Sequence, residues 1–344
     1  MSLSRTQCQN IKGWAITLIV IHNFVDHLMK LYCNEMAYSQ ENTDAFLNIG
    51  FTPVAMWQIF AFMGWIGVAL FLFLSGYGLT CKYGSRQINT VSYLKSHVTK
   101  LLWLLVPVYL LYFFIYHYGF GHEHNWQSVL AQLTFTINYL DYGNNSFLTE
   151  PGVYWFFGAI LQFYFLFLVI RKLNDHWLWV IAIAGLAVNY LALYTASDDT
   201  MWWIRQNAIG WIAPFIMGML AARGKLTLSR KVCAVLCPLS MAILVVCMTI
   251  KPLTPLTEVF TVLFIVSLTC VFIWRPMIWL GTISASLFVI HPFVRMLCYN
   301  IMPHFTFSSN QTVALYEMVA IYLIAVVLLG WLHHLMLRKA SSRQ

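Results

Sequence analysis

Apolar runs of roughly twenty residues recur along almost the whole chain, and they restrict what it can fold into. A bilayer core is about 30 Å thick, so a helix rising about 1.5 Å per residue needs about 20 apolar residues to cross it. Ten runs meet that need: about 11–30, 54–80, 98–118, 152–170, 177–195, 203–222, 232–250, 256–274, 279–299 and 313–335. Composition agrees. Hydrophobic residues make up 60% of the 344 and charged residues only 9%, where a soluble domain carries about 25% charge. The expected fold is all-α, a polytopic transmembrane helical bundle of about ten spans forming one domain over residues 1–344. The second run is the longest and is expected to be kinked or partly re-entrant. A weaker stretch near 126–140, with Gln127, Gln132 and Asn138, reads as an interfacial or re-entrant element. No small-residue cleavage site follows the first run, so that run is expected to be retained.

Charge sets the orientation. With the N-terminus inside, cytoplasmic segments hold Arg5, Lys82, Arg86, Lys95, Lys100, Arg171, Lys172, Arg223, Lys225, Arg230, Lys231, Arg275, Arg338, Lys339 and Arg343. The opposite loops hold Lys251, with Lys30 at a boundary, and collect Glu35, Glu41, Asp44, Glu123, Asp141, Glu150, Asp198 and Asp199. The Lys/Arg bias predicts both termini on the cytoplasmic side. The net charge of +8 is scattered between spans without an aromatic-basic stripe, which excludes nucleic acid as the expected partner. The eight cysteines show no CxxC pair. Cys81, Cys233, Cys237, Cys270 and Cys298 lie in or beside apolar segments and read as small hydrophobes.

Several polar residues interrupt these runs. His22 lies within the first, IKGWAITLIVIHNFVDHL, and Asp26 follows one turn later. An ionisable group at the centre of a membrane helix costs roughly 2.5–3.5 kcal/mol on insertion scales and persists where it faces a bundle interior or a water-filled cavity. Residues four apart share a helix face, so Asp26 is expected to orient the imidazole and raise its basicity, the arrangement of a general base. A hydrogen bond to a neighbouring helix is the plainer alternative. Lys95, His97 and Lys100 open the third run, where they either hold cofactor phosphates or anchor the span. Gly64, Gly67, Ser75, Gly76 and Gly78 allow close helix approach or a break. Glu150, Trp155, Gln162 and Tyr164 surround the fourth run, and both Tyr154 and Trp155 suit either sugar stacking or an interfacial belt. His291, before Pro292, either lines the cavity of His22 or satisfies the backbone carbonyl that the proline frees. No HExxH, P-loop, dinucleotide fingerprint or acidic metal cluster is present, and no metal is expected.

Five segments in order resemble the membrane-bound acyltransferase 3 family across nearly the whole chain. They are Lys12 with His22 ten positions on, GVALFLFLSGYGL at 67–79, YLKSHVTKLLWLLVP at 93–107, VYWFFGAILQFYFLF at 153–167 and ISASLFVIHPFV at 283–294. The family usually has arginine where Lys12, His97 and Lys100 stand. The resemblance implies transfer of an acyl group, commonly acetyl from acetyl-CoA or another acyl-CoA, to a hydroxyl of an extracytoplasmic carbohydrate or lipid-linked glycan, as in O-acetylation of a surface polysaccharide. It implies His22 as catalytic base, assisted by Asp26, and Lys12, Lys95, His97 and Lys100 on the donor path. Tyr77, Glu150, Trp155, Gln162, Tyr164 and His291 are the substrate or cavity candidates. The expected location is the bacterial cytoplasmic membrane, with membrane lipids as neighbours and the oligomeric state open, a homodimer included. Two rivals stand beside it. One is a proton-coupled transporter relaying through His22, Asp26, His291 and Glu317; the other is a non-catalytic membrane partner on the same scaffold.

Overall fold

The computed structural model describes residues 3–29, 33–84, 86–123, 126–140, 152–224 and 229–341. Every element among them is helical: α1 (Arg5–Met29), α2 (Gln40–Leu47), α3 (Ala55–Met63), α4 (Gly67–Tyr83), α5 (Thr90–Phe114), α6 (Trp126–Leu133), α7 (Trp155–Ile170), α8 (Asp175–Thr195), α9 (Asp198–Arg205), α10 (Ile212–Ala222), α11 (Arg230–Thr249), α12 (Thr257–Val271), α13 (Arg275–Thr282), α14 (Ser284–Ile301) and α15 (Gln311–Ser341). Seven stretches are long and apolar enough to cross a bilayer: Ala55–Tyr83, Thr90–Gly119, Asp175–Thr195, Arg230–Thr249, Lys251–Val271, Ser284–His304 and Gln311–Ala340. Trp155–Ile170 and Ala208–Ala222 are apolar but shorter. Seven stretches of crossing length stand against the ten expected: runs 54–80, 203–222 and 279–299 are each divided between two helices, and the others each fall on one helix. The first does so on α1, whose apolar character is diluted by Lys12, His22, Asn23 and Asp26.

Burial separates inner helices from lipid-facing ones. In Ala55–Tyr83, 78% of the most apolar window is buried, against 28% in Asp175–Thr195, Arg230–Thr249 and Gln311–Ala340. The outer helices turn large side chains such as Ile183, Val235 and Ile324 outward, which a bilayer tolerates and water does not. α1 lies inside, against α3, α4, α12, α13, α14 and α15. It buries Ile11, Ala15, Ile16, Ile19, Val20, Phe24 and Val25. A helix apolar on more than one stripe is surrounded by protein. Asn10 fixes its N-terminal end, donating to Thr269 Oγ1 at 3.1 Å and accepting from the Trp274 backbone N–H at 3.0 Å.

Two close helix approaches depend on glycine. A methyl group on Gly76 would overlap the Phe215 carbonyl, and one on Gly218 would overlap the Phe73 carbonyl, so α4 and α10 meet backbone to backbone. The second run is broken as expected, by a 3₁₀ turn over Gly64–Ile66 between α3 and α4. Gly64 sits at that break because any Cβ there would meet the Cβ of His22 and the Leu18 carbonyl. The stretch near 126–140 forms α6 and a short 3₁₀ turn tucked over the start of α7. Gln132 donates to the Tyr154 carbonyl at 3.3 Å, and Asn138 donates to the Trp155 carbonyl at 2.9 Å.

Candidate functional site

His22 is 5% exposed. Its Nδ1 lies 2.7 Å from the Ala61 carbonyl in α3. A carbonyl only accepts, so Nδ1 donates, and in the neutral ring the lone pair is the one on Nε2. The break after α3 thus brings a backbone carbonyl to the ring and sets its tautomer. Nε2 faces the Glu35 carboxylate at 3.9 Å, within ion-pair reach once the ring is protonated.

Glu35 comes from the loop after α1, and that loop is held by three successive residues. Asn42 Nδ2 donates to the Cys33 carbonyl at 3.2 Å. Asn34 donates to Thr43 Oγ1 at 2.9 Å and accepts from the Ser39 backbone N–H at 3.1 Å. Arg205 Nε donates to the Glu35 carbonyl at 3.0 Å. Arg205 itself is buried, paired with Glu258, and its guanidinium stands 3.9 Å from the Trp211 ring centroid and 5.5 Å from that of Trp65. The Cys33 thiol lies beside this pair, its Sγ within 4.8 Å of the His22 and Glu35 donor atoms. Burial pushes that thiol above its usual range, while the neighbouring imidazole pulls the other way.

His22 and Glu35 line a cavity of about 550 Å³. That is the size of a small-molecule site. Its walls carry Trp65, Tyr112, Tyr116, Trp155, Phe156, Trp202, Phe288 and Tyr299, with Asn23, His27, Gln132, Gln206, Arg295 and Asn300 among them. Arg295 Nη1 donates to both the Asn23 carbonyl and its side-chain oxygen at 3.3 Å, and His27 stacks on Tyr299 with ring centroids 4.6 Å apart. Flat aromatic faces and amides around a single imidazole–carboxylate pair suit a polyhydroxylated ligand that presents a hydroxyl to His22.

The residues expected from sequence fall into three groups. His22 and Trp155 share the cavity wall. Asp26 does not hold the imidazole: Nδ1 is turned to Ala61 and Nε2 to Glu35. The i, i+4 spacing put Asp26 on the right face, but the broken helix supplies a nearer acceptor for the ring. The other candidates are engaged elsewhere. Gln162 is locked between Asn207 Oδ1 at 2.6 Å and the Ala208 N–H at 2.8 Å. Tyr77 Oη accepts from the Leu3 N–H at 2.6 Å, tying down the start of the described chain. His291 is fully buried and bonds the Leu287 carbonyl at 3.3 Å, one turn back, and is not on the cavity wall. The partner is a backbone carbonyl, but that of Leu287, next to the Phe288 carbonyl that Pro292 leaves without its helical donor. Glu150 lies outside the described residues. At the opposite end of the bundle, His97 is packed among Tyr93, Tyr164 and Tyr83, with ring centroids 4.3, 4.4 and 6.1 Å away, and bonds the Tyr93 carbonyl at 2.8 Å. Lys95 and Lys100 are exposed and Lys12 is half-buried.

Glu35, Arg205, Arg295 and Glu258 were not singled out by sequence as site residues. Glu35 is one acid among many in the outer loops, and only the fold returns it to His22. Arg205 and Arg295 carried a signal, as cations embedded in or bordering apolar runs.

The fold and site define a multi-pass helical membrane protein with an imidazole–carboxylate pair on the wall of an aromatic cavity. The family model described as an acyltransferase domain, acyltransferase 3, matches residues 8–335, and the chain belongs to that family as a membrane acyltransferase. No curated protein and no solved structure matches it.

Proposed function

We propose that the chain transfers an acyl group, acetyl in the simplest case, from acyl-CoA to a hydroxyl of an extracytoplasmic carbohydrate or lipid-linked glycan, in the bacterial cytoplasmic membrane. What carries this is His22: a buried imidazole with its tautomer set by a backbone carbonyl, on the wall of a cavity lined by aromatic and amide side chains. The acceptor hydroxyl sits against Nε2. As its oxygen attacks the thioester carbon, Nε2 takes the proton, and the imidazolium that forms is stabilised by Glu35. The C–S bond then breaks, and the proton held on Nε2 passes to the leaving sulfur, so CoA departs as the thiol and the imidazole is regenerated. Glu35, 3.9 Å away, offsets the positive charge that the ring gains when it takes the proton.

The donor enters from the side marked as cytoplasmic by the Lys/Arg bias. Lys95 and Lys100, both exposed at the start of α5, hold its phosphates. Lys12 sits ten residues before His22 on α1, roughly 15 Å away at 1.5 Å per residue, on the path between them. His97 contributes mainly through packing, because its ring is enclosed by three tyrosines.

The test is consumption of acetyl-CoA by the purified full chain supplied with a glycan acceptor, compared with His22→Ala. Loss of turnover in the folded variant is expected, and undiminished turnover removes the base role. Substrate flux into sealed vesicles with no acyl donor present is the outcome that belongs to a transporter instead.

A further inference from the structure

We propose that His22, Cys33 and Glu35 form a zinc-binding site whose occupation shuts off acyl transfer. Their donor atoms, an imidazole nitrogen, a thiol sulfur and a carboxylate oxygen, all lie within 4.8 Å of one another. That is a zinc donor set: borderline-soft nitrogen and sulfur with one oxygen, three protein ligands and a fourth place for water or another ligand. Tetrahedral zinc with bonds of about 2.0–2.3 Å requires donors about 3.3–3.7 Å apart. The His22–Glu35 separation of 3.9 Å is close to this, and with all three donors within 4.8 Å the set closes on the ion by side-chain rotation.

Three further observations point the same way. First, the hydrogen bond from His22 Nδ1 to the Ala61 carbonyl, at 2.7 Å, leaves Nε2 as the free donor. Metal-bound histidines characteristically have the second ring nitrogen held in this way. Second, the described residues that carry the other two donors, 33–35, are held: Asn42 holds the Cys33 carbonyl, Asn34 is buried in its own hydrogen bonds, and Arg205 holds the Glu35 carbonyl. Rigid donors bind metal without paying for loop ordering. Third, His22 and Glu35 line the cavity, so the fourth coordination position can open onto it. Cys33 has no part in the proton transfer proposed above, which leaves the thiol without a catalytic use.

Zinc here is an inhibitor and not a cofactor. A metal on Nε2 occupies the lone pair that takes the acceptor's proton. The site rests on the base role of His22 only for its effect on activity; binding itself is independent of it. The sequence did not suggest a metal because the motifs and helical spacings searched place ligands on one element, whereas these lie on α1 and on a loop beyond its end.

The experiment titrates the purified full chain with Zn²⁺ alone by calorimetry and with Cd²⁺ by near-ultraviolet absorbance. Expected are one saturable site, a thiolate-to-cadmium charge-transfer band at one equivalent, and loss of both in Cys33→Ser, with Mg²⁺ and Ca²⁺ giving no heat. X-ray absorption at the zinc edge of the unmodified protein should show one sulfur with nitrogen and oxygen neighbours, which tests the site even if the variant does not fold. In the transfer assay, zinc should inhibit Cys33→Ser at least tenfold more weakly than the parental chain, each measured against its own zinc-free rate. Zinc binding unchanged in Cys33→Ser, or a zinc shell without sulfur, overturns the proposal. A protein that shows the cadmium band but no acyl transfer keeps the metal site and sinks the acyltransferase assignment of His22.

Discussion

At one end of the bundle, His22 and Glu35 face a cavity of about 550 Å³, whereas at the start of α5 Lys95 and Lys100 are exposed and His97 is wedged among Tyr83, Tyr93 and Tyr164. The two regions use polar residues in opposite ways. Around His22, a chain of polar groups orients the pair: Ala61 sets the ring, Arg205 sets the Glu35 backbone, and Glu258 pairs with Arg205. Near α5, the arginines are engaged with backbone carbonyls. Arg171 bonds those of Tyr83 and Arg86, and Arg223 bonds those of Arg171 and Leu173. The lysines there are left to the solvent side. A preorganised region should therefore lose rate when altered, and a loosely held one should lose affinity.

The largest expected effect is on stability. Arg205→Met leaves Glu258 as an unpaired carboxylate in the interior, and breaking a buried pair of this kind costs about 3–5 kcal/mol. Thermal unfolding in detergent should show a pronounced fall in midpoint. The double variant Arg205→Met with Glu258→Leu should recover most of it, yet remain slow in transfer because the Glu35 carbonyl has lost its donor. A double variant with full activity would show that the clamp does not position the loop.

Gly64→Ala sharpens the same comparison at the ring. Its methyl group would meet the His22 Cβ, so the helix break must shift and carry the Ala61 carbonyl with it. The variant should lose turnover about tenfold or more while the affinity for donor stays constant. Glu35→Gln should lower turnover by about tenfold, equivalent to roughly 1.4 kcal/mol of transition-state stabilisation. Asp26→Asn should do less than Glu35→Gln, because Asp26 does not contact the ring; the reverse order in steady-state turnover would restore Asp26 as the partner. Smallest is the change at the other end. Lys100→Ala should raise the apparent KM for acyl-CoA about fivefold with turnover unchanged. His97→Ala should affect the melting temperature more than KM.

The bundle was legible in the sequence because twenty-residue apolar runs leave few alternatives, and His22 was legible because a lone imidazole in such a run demands an explanation. Its partner was not. Asp26 offered correct helical spacing, but spacing cannot reveal a carbonyl exposed by a break in another helix, nor a loop that folds back over α1. Glu35 looked like Glu41 and Asp44, acids in a solvated loop, until Arg205 drew its backbone inward. Gln162 looked like a cavity residue because a buried amide needs partners; it has them in Asn207 and Ala208, away from the cavity. His291 was ambiguous for a physical reason: a histidine beside a helix proline can serve a ligand or the backbone equally well.

The central claim is that His22 is the base of an acyl transfer. It is tested most directly by mass spectrometry of O-acetyl groups on the surface glycans of a deletion strain, complemented with the parental chain or with His22→Ala at matched membrane levels. Acyl transfer through His22 predicts acetylation restored by the parental chain and reduced about 10²- to 10⁴-fold by the variant. Equal restoration by both would contradict it.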